Sequence, residues 1–393
     1  MMFSSRIRWG LDENALWREL EAKRSAGETI WDLTASNPTR VGISYPDAEI
    51  LASLAVPEAL VYTPDPKGIE SAREAVSGYY AGHDIDVSKD ALVLTASTSE
   101  AYGFLFKLLC DPGERVLVPR PSYPLFDFLA SLEGVMAVPY TLTFDGAWQI
   151  DFDELHALGR DARALVAVHP NNPTGSYHSD ADRERLLDLA EAHSLALIVD
   201  EVFLDYPFAG TPRSFADADR GLVFVLSGLS KLAGLPQMKL AWIAVAGALE
   251  KRREALARLE HIADTYLSVG TAVQLAAPRL LQLAPDLRRA IRSRTASNLE
   301  MLSRAARAVP AISVLPVDGG WYQPVRLPAI TSSEAWALDI LRQASVYLHP
   351  GLFFGFSQEA HVVVSLLTEP AVLEEGLARL LCIVADRVGS PRG

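Results

Sequence analysis

Lys231 closes the run Gly221-Leu-Val-Phe-Val-Leu-Ser-Gly-Leu-Ser-Lys231, where a lone ammonium follows a buried-strand pattern. Desolvation there disfavours the charged form and leaves a free amine able to attack a carbonyl, the chemistry of a Schiff-base lysine. Most other lysines have ordinary settings. Of seven in the chain, Lys23, Lys89 and Lys251 sit among charged residues, Lys67 lies in a Pro/Gly turn, and Lys107 rides an apolar helix from which its stem can reach water. Lys239, eight residues after Lys231, is the second in an unusual place.

Four further groups carry chemistry. Asp200 ends the apolar stretch LALIV, so its carboxylate needs a cationic or donor partner; a helix cap or a protonated ring nitrogen meets that need. His169-Pro-Asn171-Asn172-Pro-Thr174-Gly175 follows another apolar strand, and its Asn-Pro and Thr-Gly pairs make a tight turn that fixes an amide at the strand's end. Ser97, Thr98 and Ser99 lie between a strand and the helical EAYGFLFKLL. Hydroxyls and free amides at a helix N-terminus suit a phosphate, and N-capping accounts for only one of the three hydroxyls. Tyr123, in RPSYPLF, follows the next strand and either stacks on an aromatic ligand or packs in the core.

These residues need a sheet to hold them. From about residue 91 the chain alternates β-rich apolar runs with amphipathic helices: 91–97, 115–120, 135–142, 164–170, 195–203, 222–227 and 240–245. That alternation predicts an α/β fold with a large, doubly wound, mostly parallel sheet of seven strands. The polar residues cluster after the strands' carboxyl ends, the edge where ligands bind in open α/β sheets. Beyond 271 a long helical stretch leads to strand-like pieces at 313–327, 345–351 and 361–367 and a closing helix. The expected division is a large domain over 46–284 and a smaller α+β domain built from 1–45 with 285–393.

Composition sets the outer limits. A chain of 393 residues that is 49% hydrophobic and 22% charged is an ordinary globular protein, of two domains or of one large α/β domain with an appendage. Its net charge of -13 opposes nonspecific attraction to nucleic acid or anionic membrane, and no apolar run approaches the roughly 20 residues of a membrane helix. Only Cys110 and Cys382 are available, so neither a disulfide framework nor a thiolate metal site is expected, and a cytoplasmic setting fits.

Taken in order, SNPT (36–39), YTPDPKG (62–68), HPNNPTG, DEVF (200–203), SGLSK (227–231) and GLPQMK (234–239) resemble the fold type I, pyridoxal-phosphate-dependent aminotransferases of classes I and II, over nearly the whole chain. The resemblance implies that Lys231 binds the cofactor covalently and moves the substrate proton, while Asp200 pairs with the pyridine nitrogen. It implies that Asn172 reaches the ring oxygen and the substrate, and that Tyr123 stacks on the ring. Ser97, Thr98 and Ser99 would hold the phosphate with Lys239 as its cation, and Asn37 would line the substrate side. Tyr62 would reach the phosphate of a neighbouring subunit, making a homodimer. A ping-pong exchange between an α-amino acid and a 2-oxo acid follows; a lyase or decarboxylase on the same cofactor, or a noncatalytic cofactor-binding regulator, are the alternatives.

The chain departs from that pattern in four places. Phe203 stands where the family has a tyrosine that donates to the ring oxygen, which leaves Tyr206 as a possible substitute. Gly228 stands where a phosphate-binding serine is usual, and Lys239 replaces an arginine, a point charge for a fork. Val363 occupies the place of the arginine that holds the substrate carboxylate. Arg326, in GGWYQPVRLP, is the candidate replacement, with His349 and Tyr322 as further lining. No motif nominates a cation for a second, distal carboxylate, so a small neutral donor such as alanine is favoured.

Overall fold

Alternate residues along the apolar runs enter two different cores. The computed structural model describes residues 2–7, 14–357 and 360–389. Its strands are β1 (Trp31–Asp32), β2 (Leu92–Thr95), β3 (Arg115–Arg120), β4 (Met136–Phe144), β5 (Trp148–Ile150), β6 (Ala162–Val168), β7 (Ala196–Asp200), β8 (Leu222–Gly228), β9 (Ala241–Gly247), β10 (Ser313–Val314), β11 (Tyr322–Arg326), β12 (Val346–Tyr347), β13 (His349–Pro350) and β14 (His361–Ser365). In β7, Leu197 and Val199 pack on one face of the main sheet and Ala196 and Ile198 on the other. β8 does the same with Val223 and Val225 against Phe224 and Leu226. Burial on both faces is why these strands read as unbroken apolar runs, and it requires helices on both sides.

The main sheet has eight strands, in the order β2-β9-β8-β7-β6-β3-β4-β5. Seven match the expected runs. The eighth, β5, pairs antiparallel with the end of β4 across the Asp145–Ala147 turn, and three residues are too few to show a period in the sequence. β3, β4, β6, β7 and β8 run parallel, while β9 lies antiparallel between β8 and β2. That double reversal brings the end of β2 to the same edge as the ends of β6, β7 and β8.

A second body contains the sheet β10-β11-β14-β13, covered by helices Ser333–Ala344 and Pro370–Gly389. The N-terminal segment completes it: β1 pairs with β12, and helix Ala15–Ser25 packs on Ser333–Ala344. The helix Thr271–Ala306 joins the two bodies. It packs against helices Glu70–Ala81 and Asp47–Leu54 of the main body and against Pro370–Gly389 of the smaller one. A boundary at 284 therefore falls inside one continuous helix, just before Pro285.

Candidate active site

The ends of β6, β7 and β8 are level with one another. The His169 N–H donates to the Asp200 carbonyl at 2.8 Å, and the Glu201 N–H donates to the Leu226 carbonyl at 2.8 Å. The chain then leaves each strand in a different way, and each exit carries one functional group.

After β7, the Asp200 carboxylate is 6% exposed. Its Oδ1 accepts from the Val202 N–H at 3.2 Å and its Oδ2 from the Tyr102 hydroxyl at 3.1 Å. Burial pushes the carboxyl up to about 6, while Val202, Tyr102 and the nearby Lys231 pull it down. Tyr102 is a site residue that the sequence reading did not find.

After β8, one turn of helix, Leu229–Leu232, carries Lys231. Desolvation lowers the Lys231 ammonium below the usual lysine range, and only the Asp200 charge opposes that. Its Nζ lies 5.9 Å from the centre of the Phe203 ring. The Tyr206 hydroxyl does not stand in for the missing hydroxyl at Phe203, because it donates to the Lys231 backbone carbonyl at 2.5 Å. Tyr206 therefore positions the lysine's main chain. Gly228 has an equally local reason: a Cβ there would lie 2.8 Å from the Ala241 Cβ, so the close β8–β9 pairing admits no serine.

After β6, the turn is built by Asn171 and presents Asn172. Asn171 donates through Nδ2 to the Pro121 carbonyl at 3.0 Å and to Thr174 Oγ1 at 2.8 Å, and accepts from the Ser122 hydroxyl at 2.7 Å. Gly175 adopts φ +66°, and a Cβ there would lie 2.5 Å from the Gly319 carbonyl oxygen. With Asn171 occupied, Asn172 is buried and its Oδ1 has no partner. A buried, unpaired amide oxygen is costly unless a ligand or water meets it.

The anion end begins after β2. Ser97 is the N-cap of helix Thr98–Leu109, its hydroxyl accepting from the Glu100 N–H at 3.1 Å. That bond uses the Ser97 oxygen only as an acceptor, so Ser97 caps the helix and keeps its own O–H to donate, with Thr98 and Ser99 beside it in the first turn. Glu100 was also overlooked: its carboxylate accepts from the Ala96 N–H and the Ser268 hydroxyl, both at 2.7 Å. Lys239 is exposed, with a left-handed backbone at φ +53°. Tyr62 is 77% exposed, on a groove that also includes Ser268.

Tyr123 faces both Asp200 and Tyr322; burial, reinforced by those two groups, pushes its phenol up to about 12. Tyr322, at the start of β11, is half-buried, lies near the Ser36 side chain, and meets Phe203 edge-on at 6.1 Å. The two bodies are tied here by the Ser122 N–H, which donates to the Phe354 carbonyl at 2.9 Å. Val363 packs with Phe354 and Phe356, and His349 lies opposite it in β13 with its ring beside Phe354.

Two expected substrate contacts are not brought to this crevice. Arg326 is exposed at the far end of β11, four residues or about 13 Å from Tyr322, and its guanidinium lies 3.5 Å from Ser313 Oγ. The period of a strand identifies a face but not which end reaches the site. Arg326→Ala is accordingly expected to leave KM for amino acid within about twofold and stability within about 0.5 kcal/mol, as for other surface substitutions; steady-state kinetics and thermal melts check it. Asn37 is exposed, and its Oδ1 accepts from the Thr39 N–H at 3.1 Å and hydroxyl at 2.8 Å, a local Asx turn. Its neighbour Ser36 is the one that reaches Tyr322.

Burial of Asp200 also sets a pH dependence. Its folded pKa of about 6 lies above the ordinary value of 3.8, so the fold favours the protonated form. That contribution is fully present below about pH 4 and is lost as pH rises through about 6. Relative to Asp200→Asn, the cofactor-free wild type should therefore lose about 2 kcal/mol between pH 4 and 7. Denaturant titrations at several pH values measure the difference.

A lysine whose burial lowers its proton affinity, a buried carboxylate poised for a cation and an unpaired amide, set at the carboxyl edge of a doubly wound sheet, define an enzyme of carbonyl and amine chemistry. Residues 48–380 match the family model for aminotransferase class I and II, and the chain belongs to that family. It is an aminotransferase. It is 27% identical over 376 residues to the glutamate-pyruvate aminotransferase AlaA of Haemophilus influenzae, covering 92% of each chain. It is 28% identical to an alanine aminotransferase of Mycobacterium bovis, over 90% of this chain and 85% of that one. Among solved structures, the alanine aminotransferase of Pyrococcus furiosus superposes with a TM-score of 0.90 at 24% identity, covering 98% of this chain and all of that one. Among the described residues no group of acidic, histidine or cysteine side chains could hold a metal ion, and no helix is long and apolar enough to cross a membrane.

Proposed function

We propose that the cofactor is pyridoxal 5′-phosphate and that the donor is a small neutral amino acid such as alanine, whose amino group passes to a 2-oxo acid in two half-reactions. The observation that carries this reading is the proximity of the Lys231 amine and the buried Asp200 carboxylate, each of which shifts the other's proton affinity. The unpaired Asn172 Oδ1 marks a polar contact that a ligand would complete. The residues present fit the cofactor. Thr98 and Ser99 offer first-turn amides and hydroxyls to the phosphate, with Lys239 as cation. Tyr123 offers a ring face, Asn172 an amide for the ring oxygen, and Asp200 an acceptor for the ring-nitrogen proton.

Bound there, pyridoxal phosphate supplies an electron sink for the pair left on Cα when its proton departs. Lys231 would do two things: hold the cofactor's carbonyl carbon through its amine, and, as a free amine, accept the substrate's Cα proton and return it. Asp200 would accept the ring-nitrogen proton's hydrogen bond and so keep that proton in place. Tyr206 fixes the lysine's main chain so that its side chain can swing without the helix turn moving. The hydroxyls of Tyr322 and Ser36 receive the substrate carboxylate, and the Phe354, Phe356 and Val363 cluster supports a neutral side chain on that flank. The relatives' names, alanine aminotransferase and glutamate-pyruvate aminotransferase, support alanine, glutamate and pyruvate as the first compounds to try.

A homodimer belongs to the same proposal. Leu51, Leu60, Val61 and Tyr62 expose 60–91% of their surface, an apolar cost that a second copy removes while placing Tyr62 near its partner's phosphate. The domain division at 284/285 and a cytoplasmic setting, supported by the unpaired Cys110 and Cys382, complete it. The test loads the protein with pyridoxal phosphate and adds alanine without an acceptor. One equivalent of pyruvate per subunit, no ammonia, and turnover only after 2-oxoglutarate is added are expected. Continuous release of ammonia without acceptor would indicate a lyase instead.

A further inference from the structure

We infer that Tyr102 is a positioning residue that orients Asp200 toward the ring nitrogen, so that helix Thr98–Leu109 sets both ends of the cofactor at once; this rests on the pyridoxal phosphate reading above. The helix presents Thr98 at its first turn and Tyr102 four residues later, on the same face and about 6 Å further along the axis. The phosphate end and the nitrogen end of one ligand are thereby referred to a single rigid element.

The geometry around Asp200 supports this role. Its Oδ1 is held by the Val202 N–H, which follows from the chain's own turn, whereas Oδ2 is held by a side chain from a different element, 98 residues away in sequence. Two directed bonds on the two oxygens fix the plane of the carboxylate and leave one acceptor position on each oxygen for an incoming N–H. Tyr102 is itself fixed: it is 1% exposed and meets Phe126 edge-on at 5.5 Å and Phe106 at 5.8 Å. Its hydroxyl also stays neutral, because burial and the Asp200 charge raise the phenol well above its ordinary value. It remains a donor wherever the enzyme works and favours the ionised form of Asp200, the form that pairs with a protonated ring nitrogen.

The test compares apoenzyme affinity for pyridoxal phosphate and for its analogue with the ring nitrogen replaced by C–H, in wild type and Tyr102→Phe. Losing one hydrogen bond to a charged group should weaken pyridoxal phosphate binding about 10- to 100-fold. Binding of the nitrogen-free analogue should change less than about twofold. Circular dichroism of the variant controls for folding, and a cycle with Asp200→Asn gives a second reading: in that background Tyr102→Phe should have no further effect on cofactor affinity. Equal losses for both ligands, or a full loss retained in the Asp200→Asn background, would show that Tyr102 only packs the helix, and no loss for either would also overturn the inference. Failure of the wild type to take up pyridoxal phosphate would instead refute the reading on which it rests.

Discussion

Lys231→Ala should lower kcat by about 10⁴-fold or more, because one side chain is both the covalent anchor and the proton carrier, and general-base catalysis alone accounts for up to about that factor. The cofactor should still bind, through Thr98, Ser99, Asp200 and Asn172, but reversibly. Formation of 2-oxo acid under single-turnover conditions, followed by mass spectrometry, measures the loss. Lys231→Arg should not restore the rate, since a guanidinium stays charged and is a poor nucleophile. The fold should tolerate the alanine, because the ammonium is desolvated in its present setting and its removal relieves an unfavourable burial.

Asp200→Asn is expected to have the second largest effect, and with opposite signs for stability and activity. Removing one partner of a buried charge pair costs about 3–5 kcal/mol, which corresponds to a 10²- to 10³-fold or greater fall in kcat/KM for the loaded enzyme. An amide cannot hold the ring nitrogen in its protonated state, so the electron sink is weakened. The cofactor-free variant should be more stable than the wild type at neutral pH, because the cost of ionising a buried carboxylate disappears. Cofactor-dependent rate and cofactor-free stability therefore separate a catalytic charge from a structural one. A loss of both together would mean that Asp200 mainly supports the strand end.

Much of this arrangement was legible because strands buried on both faces read as apolar runs, and the polar residues at or just after the end of each run must lie near the sheet's edge. Asp200, Asn172 and Lys231 were nominated among those residues, and the strand order sets the ends of β6, β7 and β8 side by side. What the sequence left hidden depends on three-dimensional partnerships. Tyr102 lies in a helix of aromatic and aliphatic residues, where a buried tyrosine looks like packing until its hydroxyl is seen to meet Asp200. Ser97 serves as the helix cap, and the sequence alone does not separate that use from phosphate binding because a cap and an anion site use the same residue types at the same place. Arg326 was placed on the right strand but at its wrong end, since a two-residue period carries no information about which end meets the crevice. Gly228 looked like a lost phosphate contact and is explained by the approach of Ala241, a strand pairing set by residues far along the chain.

The smaller body was less legible for a related reason. Its strands β10, β12 and β13 have two residues each, too few for a period, and one of its two sheets pairs the N-terminal β1 with β12 across more than 300 residues. Only the Gly-Gly-Trp segment before β11 and the apolar β14 marked where that body meets the crevice. Their contribution, Tyr322 beside Ser36 and Val363 beside Phe354 and Phe356, is largely apolar. On the proposed function, this flank separates the substrate question from the chemistry: the amine, the carboxylate and the amide follow strands of the main sheet, and the smaller body would set selectivity.

Reduction with borohydride of the protein loaded with pyridoxal phosphate, followed by peptide mass mapping, tests the assignment of Lys231 most directly. The expected result is one pyridoxyl group per subunit, confined to the peptide that contains Lys231 and absent from Lys231→Ala. Labelling spread over exposed lysines such as Lys239, or label retained at full stoichiometry in Lys231→Ala, would contradict it.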